Sequence, residues 1–113
     1  MTVNSALIQA LAPMGIPCRP EPYRGKESRF FTFNSASDNG TDFGDDMPQH
    51  DAIVIYLHYW VATNYNYLND IKRVRKLLTD ADFSYASIVA NDVDPDRETI
   101  RHIVFSTEFI TEV

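Results

Sequence analysis

Cysteine, glycine and positive charge are all scarce in this chain. A single cysteine, Cys18, cannot build an internal disulfide framework, so a reducing compartment is the simplest expectation. Only four glycines occur and they do not cluster, which excludes a glycine-rich phosphate-binding loop. Ten lysines and arginines stand against sixteen aspartates and glutamates, and the net charge of −6 argues against a protein built to grip nucleic acid. No apolar run reaches the ~20 residues of a membrane-spanning helix. The opening Met-Thr-Val-Asn-Ser lacks the basic start of a secretory signal, so the expectation is a soluble protein that stays where it is made. Nucleophile signatures are also missing. No serine sits in a Gly-x-Ser-x-Gly turn, and Cys18 lies between prolines without an evident histidine partner.

With 113 residues, 44% of them hydrophobic and 23% charged, the chain is sized for one domain with a single two-layer core. Its longest apolar run, Asp51 to Val61, is rich in β-branched and aromatic residues and suits a central strand. At period two, Ile53, Ile55, Leu57 and Tyr59 share one face and Val54, Tyr56, His58 and Trp60 the other. A short turn at Ala62-Thr63-Asn64 leads into a predicted helix over Asn64 to Asp80, with Tyr67, Leu68, Ile71, Val74 and Leu78 along its apolar stripe.

The other elements arrange themselves around that pair. Leu7, Ile8 and Leu11 mark a short first helix, capped by Thr2 or Asn4 and ended by Pro13 and Gly15. Prolines at 17, 20 and 22 allow an edge strand at most between Ile16 and Gly25. Arg29 to Ser35 reads as a strand, with Phe31 and Phe33 opposed to Phe30 and Thr32. Ser37 to His50, the segment of Asp38, Gly40, Asp42, Gly44, Asp45 and Asp46, reads as a long acidic loop with too little apolar surface to order by itself. Phe83 to Ala90 and Thr99 to Phe109 are the last two strands, the latter with Ile103, Phe105 and Phe109 inward and His102, Ser106 and Glu108 outward. The order α-β-β-β-α-β-β predicts an α+β fold, two-layered, with a mostly antiparallel sheet and two helices on one face.

Metal chemistry is the sharpest possibility the residues raise. His58 and His102 converge with an aspartate if their strands are neighbours, but no HxH or HxxxH spacing occurs. His50, His58 and His102 are therefore more simply structural or exposed. The acidic segment departs from a helix-loop-helix calcium site, with Gly40 at its third position and Gln49 at its twelfth. Lys72, Arg73 and Lys76 form a basic face opposite the stripe of the second helix, for which a solvated surface is the bland reading. No cofactor, metal or catalytic residue is expected.

Three series of residues carry a resemblance. Ala10-Leu-Ala-Pro-Met-Gly-Ile-Pro17, Tyr23-Arg-Gly25 and Phe31-Thr-Phe33 are followed by Asp45-Asp46 before a strand ending in Tyr59-Trp60. Tyr67, Ile71, Val74 and Leu77-Leu78 then mark a helix, and Phe105 and Phe109 a closing aromatic strand. Over nearly its whole length the chain resembles the tail terminator and tail completion proteins of long-tailed bacteriophages. The resemblance implies a non-enzymatic virion protein of the tail or neck. Such a protein assembles on itself as a ring, hexameric in the family, and its partners are the tail tube protein and head-tail connector proteins. Asp38, Asp42, Asp45 and Asp46 on one element, and Lys72, Arg73 and Lys76 on another, are the candidate subunit contacts. The alternatives are another neck protein, a small metal- or ligand-binding enzyme using His58 and His102, and a binding module that engages an acidic partner through the basic helix.

Overall fold

The computed structural model describes residues 3–23, 27–44 and 47–112. At 36–44, 47–52 and 110–112 it describes the backbone alone. The chain runs α1 (Val3–Leu11), β1 (Cys18–Pro20), β2 (Arg29–Gly44), β3 (Met47–Ala62), α2 (Leu68–Asp80), β4 (Ser87–Asp94) and β5 (Arg97–Glu112). The five strands form one sheet in the order β1-β2-β3-β5-β4. Only β1 and β2 pair in parallel; the other neighbours are antiparallel. The fold is α+β, with both helices contributing to the core on one side of the sheet.

Alternation decides which side. Ile55, Leu57, Tyr59 and Val61 of β3 are fully buried, as are Phe31, Ile103 and Phe105 opposite them on β2 and β5. Leu7 and Leu11 of α1 and Val74 and Leu78 of α2 close over them. Near α1, Gly15 adopts φ 71° and returns its N–H to the Ala12 carbonyl, a left-handed turn that glycine makes without steric cost. The proline-rich segment contributes the three-residue edge strand β1, where Pro20 costs no internal ladder bond.

Three boundaries differ most from the sequence reading. The first correction concerns Ser37 to His50: instead of a loop, the backbone continues as strand to Gly44 and resumes at Met47. Register locked by the apolar pairs Phe31↔Tyr59 and Phe33↔Leu57 propagates outward through Asp38↔Ile53 to Gly44↔Met47, with a bulge between Ser35 and Ser37. Pairing satisfies the backbone groups whatever the turn preference of the side chains. Second, α2 starts at Leu68, because Tyr65 N–H turns back to the Ala62 carbonyl and Asn66 Oδ1 accepts the Leu68 N–H at 3.3 Å. Leu68 is consequently 62% exposed and leaves the stripe, while Ile71, Val74 and Leu78 remain buried. Third, β4 lies four residues later than expected, at Ser87–Asp94; Phe83 makes only an isolated bridge to Phe109.

Candidate functional site

Among the described residues, no helix covers the second face of the sheet. Phe30, Thr32 and Asn34 of β2, His58 and Trp60 of β3, and His102 and Val104 of β5 alternate with the core positions and therefore lie there. Their own side chains shield one another. Phe30, Trp60 and His102 occupy paired positions on three neighbouring strands, and their rings stand nearly parallel. The His102 ring lies flat against Trp60, with centroids 3.8 Å apart and planes 3° apart. Tyr23 meets Phe30 edge-on.

Hydrogen bonds cross the strands beside this ladder. Trp60 Nε1–H donates to Thr32 Oγ1 at 2.9 Å, and Thr32 donates to Glu21 Oε1 at 2.8 Å. His58 Nε2 is 2.8 Å from Asn34 Oδ1, and His58 Nδ1 is 2.7 Å from His102 Nε2. An amide oxygen only accepts, so His58 carries its proton on Nε2 and His102 donates from its own Nε2. Burial lowers the pKa of both imidazoles; the charge of His58 lowers that of His102 further. The Glu21 carboxylate, 3.9 Å from His58 Nε2, pulls the other way, but the loss of hydration outweighs it.

The strands of His58 and His102 are neighbours, and the two imidazoles meet. Their nitrogens point at each other, and no group of three potential ligands is found among the described residues. His50 pairs through its backbone with Thr41 and Glu112, far along the ladder from His58.

At the β4–β5 turn, Trp60, Asp94, Asp96 and Arg97 line a cavity of about 390 Å³. The Arg97 guanidinium lies 5.4 Å over the Trp60 ring, and its Nε donates to Asp94 at 3.1 Å. The Asp96 backbone N–H, helped by Arg97, holds the Asp94 carboxyl below its ordinary pKa against a smaller effect of burial. A second groove of about 470 Å³ runs between Ala6, Gln9 and Ala10 of α1, Ala81 and Asp82 after α2, and Phe109.

The candidate contact residues are distributed over both layers. Lys72, Arg73 and Lys76 are exposed on α2. Arg73 already donates to the Pro13 carbonyl at 2.8 Å and Lys76 to Asp80 at 2.9 Å. Asp38 and Asp42 belong to β2 rather than to a loop, in the part where the backbone alone is described. Asp45 and Asp46 lie outside the described residues.

One polar cluster escaped the sequence reading. Asp70, in the first turn of α2, is buried; Tyr59 donates to its Oδ2 and Arg29 pairs with the same oxygen at 3.1 Å. Arg29 Nε also reaches Tyr59 Oη at 3.0 Å, and its guanidinium covers the Tyr65 ring at 4.4 Å. The available signal was spacing: Asp70 falls between Tyr67 and Ile71, inside the apolar stripe.

Neither known protein families nor characterised proteins yield a match to this chain.

Proposed function

We propose that this protein is a non-enzymatic assembly subunit, a tail terminator or tail completion protein of a long-tailed bacteriophage, which associates head-to-tail with copies of itself. The reading rests on the resemblance together with one observation: exposed cations cluster on the outer side of α2, and exposed carboxylates lie on the opposite side of the sheet. The helix layer exposes Lys72, Arg73 and Lys76. On the uncovered side, Asp92 and Glu108 occupy the face of His102 and Val54, and Asp96 and Glu98 are exposed at the adjoining turn. Patches of unlike sign on opposite faces favour heterologous contact, which generates rings when the rotation closes. Exposed ion pairs contribute only about 0–1 kcal/mol each, so they set register and encounter rate rather than most of the affinity. A neighbouring head-tail joining protein is the alternative within the same class.

The test is mass photometry and negative-stain imaging of the concentrated protein across a salt series. Closed rings whose formation slows as the Debye length falls below ~8 Å are expected. Reversing Lys72 and Lys76 to glutamate should prevent them, and adding Asp92→Lys and Asp96→Lys should partly restore them. Rings indifferent to both reversals would remove the charge argument. Addition to purified tails lacking their terminator, compared with addition to tailless heads, distinguishes the two phage roles.

A further inference from the structure

We propose that the His58–His102 pair is a proton-operated latch on the uncovered face of the sheet, closed while the pair holds at most one added proton and opened by a second. The inference stands on the geometry of this cluster and is independent of the assembly reading.

The latch follows from counting protons on four ring nitrogens. With the Nε2–H of His58 given to Asn34 and its Nδ1 accepting from His102, the one ring nitrogen left with an open lone pair is Nδ1 of His102. A first proton enters there without disturbing any bond, and the pair becomes an imidazolium donating to an imidazole. A second proton has only His58 Nδ1 to occupy. Two N–H groups then face each other across 2.7 Å, on two cationic rings lying side by side and nearly coplanar, with centroids 4.9 Å apart. That arrangement has no acceptor between the rings and strong like-charge repulsion, so the rings must separate.

Charged neighbours reach the pair from beside β1, from β4 and from the β4–β5 turn. Glu21, just after β1, lies beside His58; Asp94 and Arg97 at the β4–β5 turn act on His102; Asp92 of β4 pairs with His102 through the backbone. From β2 and β3 the pair meets the neutral Asn34 and Trp60. Glu21 and Asp94 favour a cation on His102, whereas Arg97 opposes it.

Separation would not stay local. His102 is the flat support of Trp60, and Trp60 is joined through Thr32 to Glu21. A doubly charged pair draws the Glu21 carboxylate from Thr32 toward His58, only 3.9 Å away. Thr32 then loses its acceptor and Trp60 its stacking partner. One protonation event thus loosens the join between β3 and β5 and the cover supplied from β1.

Trp60 is the chain's single tryptophan, which makes the latch directly observable. Its emission should be followed from about pH 8 to about pH 4 in the full chain, with far-UV circular dichroism marking global unfolding. Two separated changes are expected below the ordinary histidine value of 6.5 and before unfolding. The first is quenching, as a cationic ring lies against the indole. The second is a red shift, as the indole meets water. His102→Phe keeps an aromatic ring on Trp60 and removes the second titrating group, so the red shift should vanish. A profile unchanged by His102→Phe, or a wild-type red shift that only accompanies global unfolding, overturns the proposal. Should that variant not fold, nitrogen NMR of the wild-type rings decides. Two separated steps shared by both imidazoles support the latch, whereas independent single steps near 6.5 for each overturn it.

Discussion

Asp70 takes a charge into the interior and is kept there by two partners from another layer. Tyr59 and Arg29 converge on one carboxylate oxygen, and burial followed by the bond to Asp70 pushes the Tyr59 phenol far above its usual pKa. Removing one member of such a cluster leaves the others desolvated and unpaired. Asp70→Ala should therefore cost on the order of 3 kcal/mol in urea unfolding, whereas Tyr59→Phe, which spares the ion pair, should cost about 1 kcal/mol. A loss below ~1 kcal/mol for Asp70→Ala would mean that the cluster is not desolvated. The imidazoles give a pH dependence with a definite sign. Both are neutral-favouring in the folded state, so the unfolded chain binds protons first as pH falls. Their contribution to stability is complete above about pH 6.5 and is lost as pH drops through the lowered folded values. The melting temperature should fall across that window, and His58→Gln with His102→Phe should flatten the fall. Cys18 is buried, and the loss of hydration pushes its thiol up to about 12. Thiol reagents should label it only on unfolding.

At the scale of elements, β3 and α2 share the core between the layers. Ile55 is 1% exposed and Val74 is fully buried, so Ile55→Ala should cost about 2–5 kcal/mol and Val74→Ala somewhat less for its smaller side chain. Denaturant midpoints shifted by less than ~1 kcal/mol at both sites would break this account. The end of α2 holds a correctable fault. Phe83 N–H returns to the Leu78 carbonyl and Asp82 N–H to Thr79, the paired bonds of a Schellman close, with Asp82 at φ 68° where glycine is the usual residue. Asp82→Gly should stabilise the protein by about 0.5–1 kcal/mol, after allowing for the greater freedom glycine gives the unfolded chain. Since Asp82 also lines the groove beside α1, a stabilised variant with intact assembly would show that the groove has no need of the carboxylate. The edge strand β4 carries exposed Val89 and Val93 but is interrupted by bulges between Ile88 and Ala90 and between Val93 and Asp94. Those breaks and the flanking aspartates hinder uncontrolled strand addition.

Across the whole molecule, three 16-residue strands set the shape, which extends 53 × 27 × 21 Å. On this elongated body the exposed cations of α2 and a set of exposed carboxylates lie on opposite sides of the sheet. The basic side of α2 follows from helical spacing. Among the residues whose side chains are described, exposed carboxylates on the other side of the sheet come from β4, β5 and their turn; Asp38 and Asp42 lie on β2 where the backbone alone is described, and Asp45 and Asp46 lie outside the described residues. A salt series is consequently a test of the molecule rather than of any single pair. Self-association that strengthens with salt would point to apolar contact, with Tyr85 and Val89 as the first residues to alter.

By itself the sequence determined the order of the elements and the inward faces of β3, β5 and most of α2, because both depend on residues a few positions apart. Ile55, Leu57 and Tyr59 alternate correctly on β3, and Ile71, Val74 and Leu78 recur at helical spacing on α2, whatever lies beyond them. Tertiary structure alone decided what is separated along the chain. Placing β5 between β3 and β4 sets Trp60 opposite His102 and brings His58 within a hydrogen bond of it. The same nonlocal pairing carries β2 and β3 past the residues that locally favour turns. It also delivers Arg29 and Tyr59 to Asp70. Ladder register is a cooperative property of several strands closing on one core, and no local window of sequence contains it.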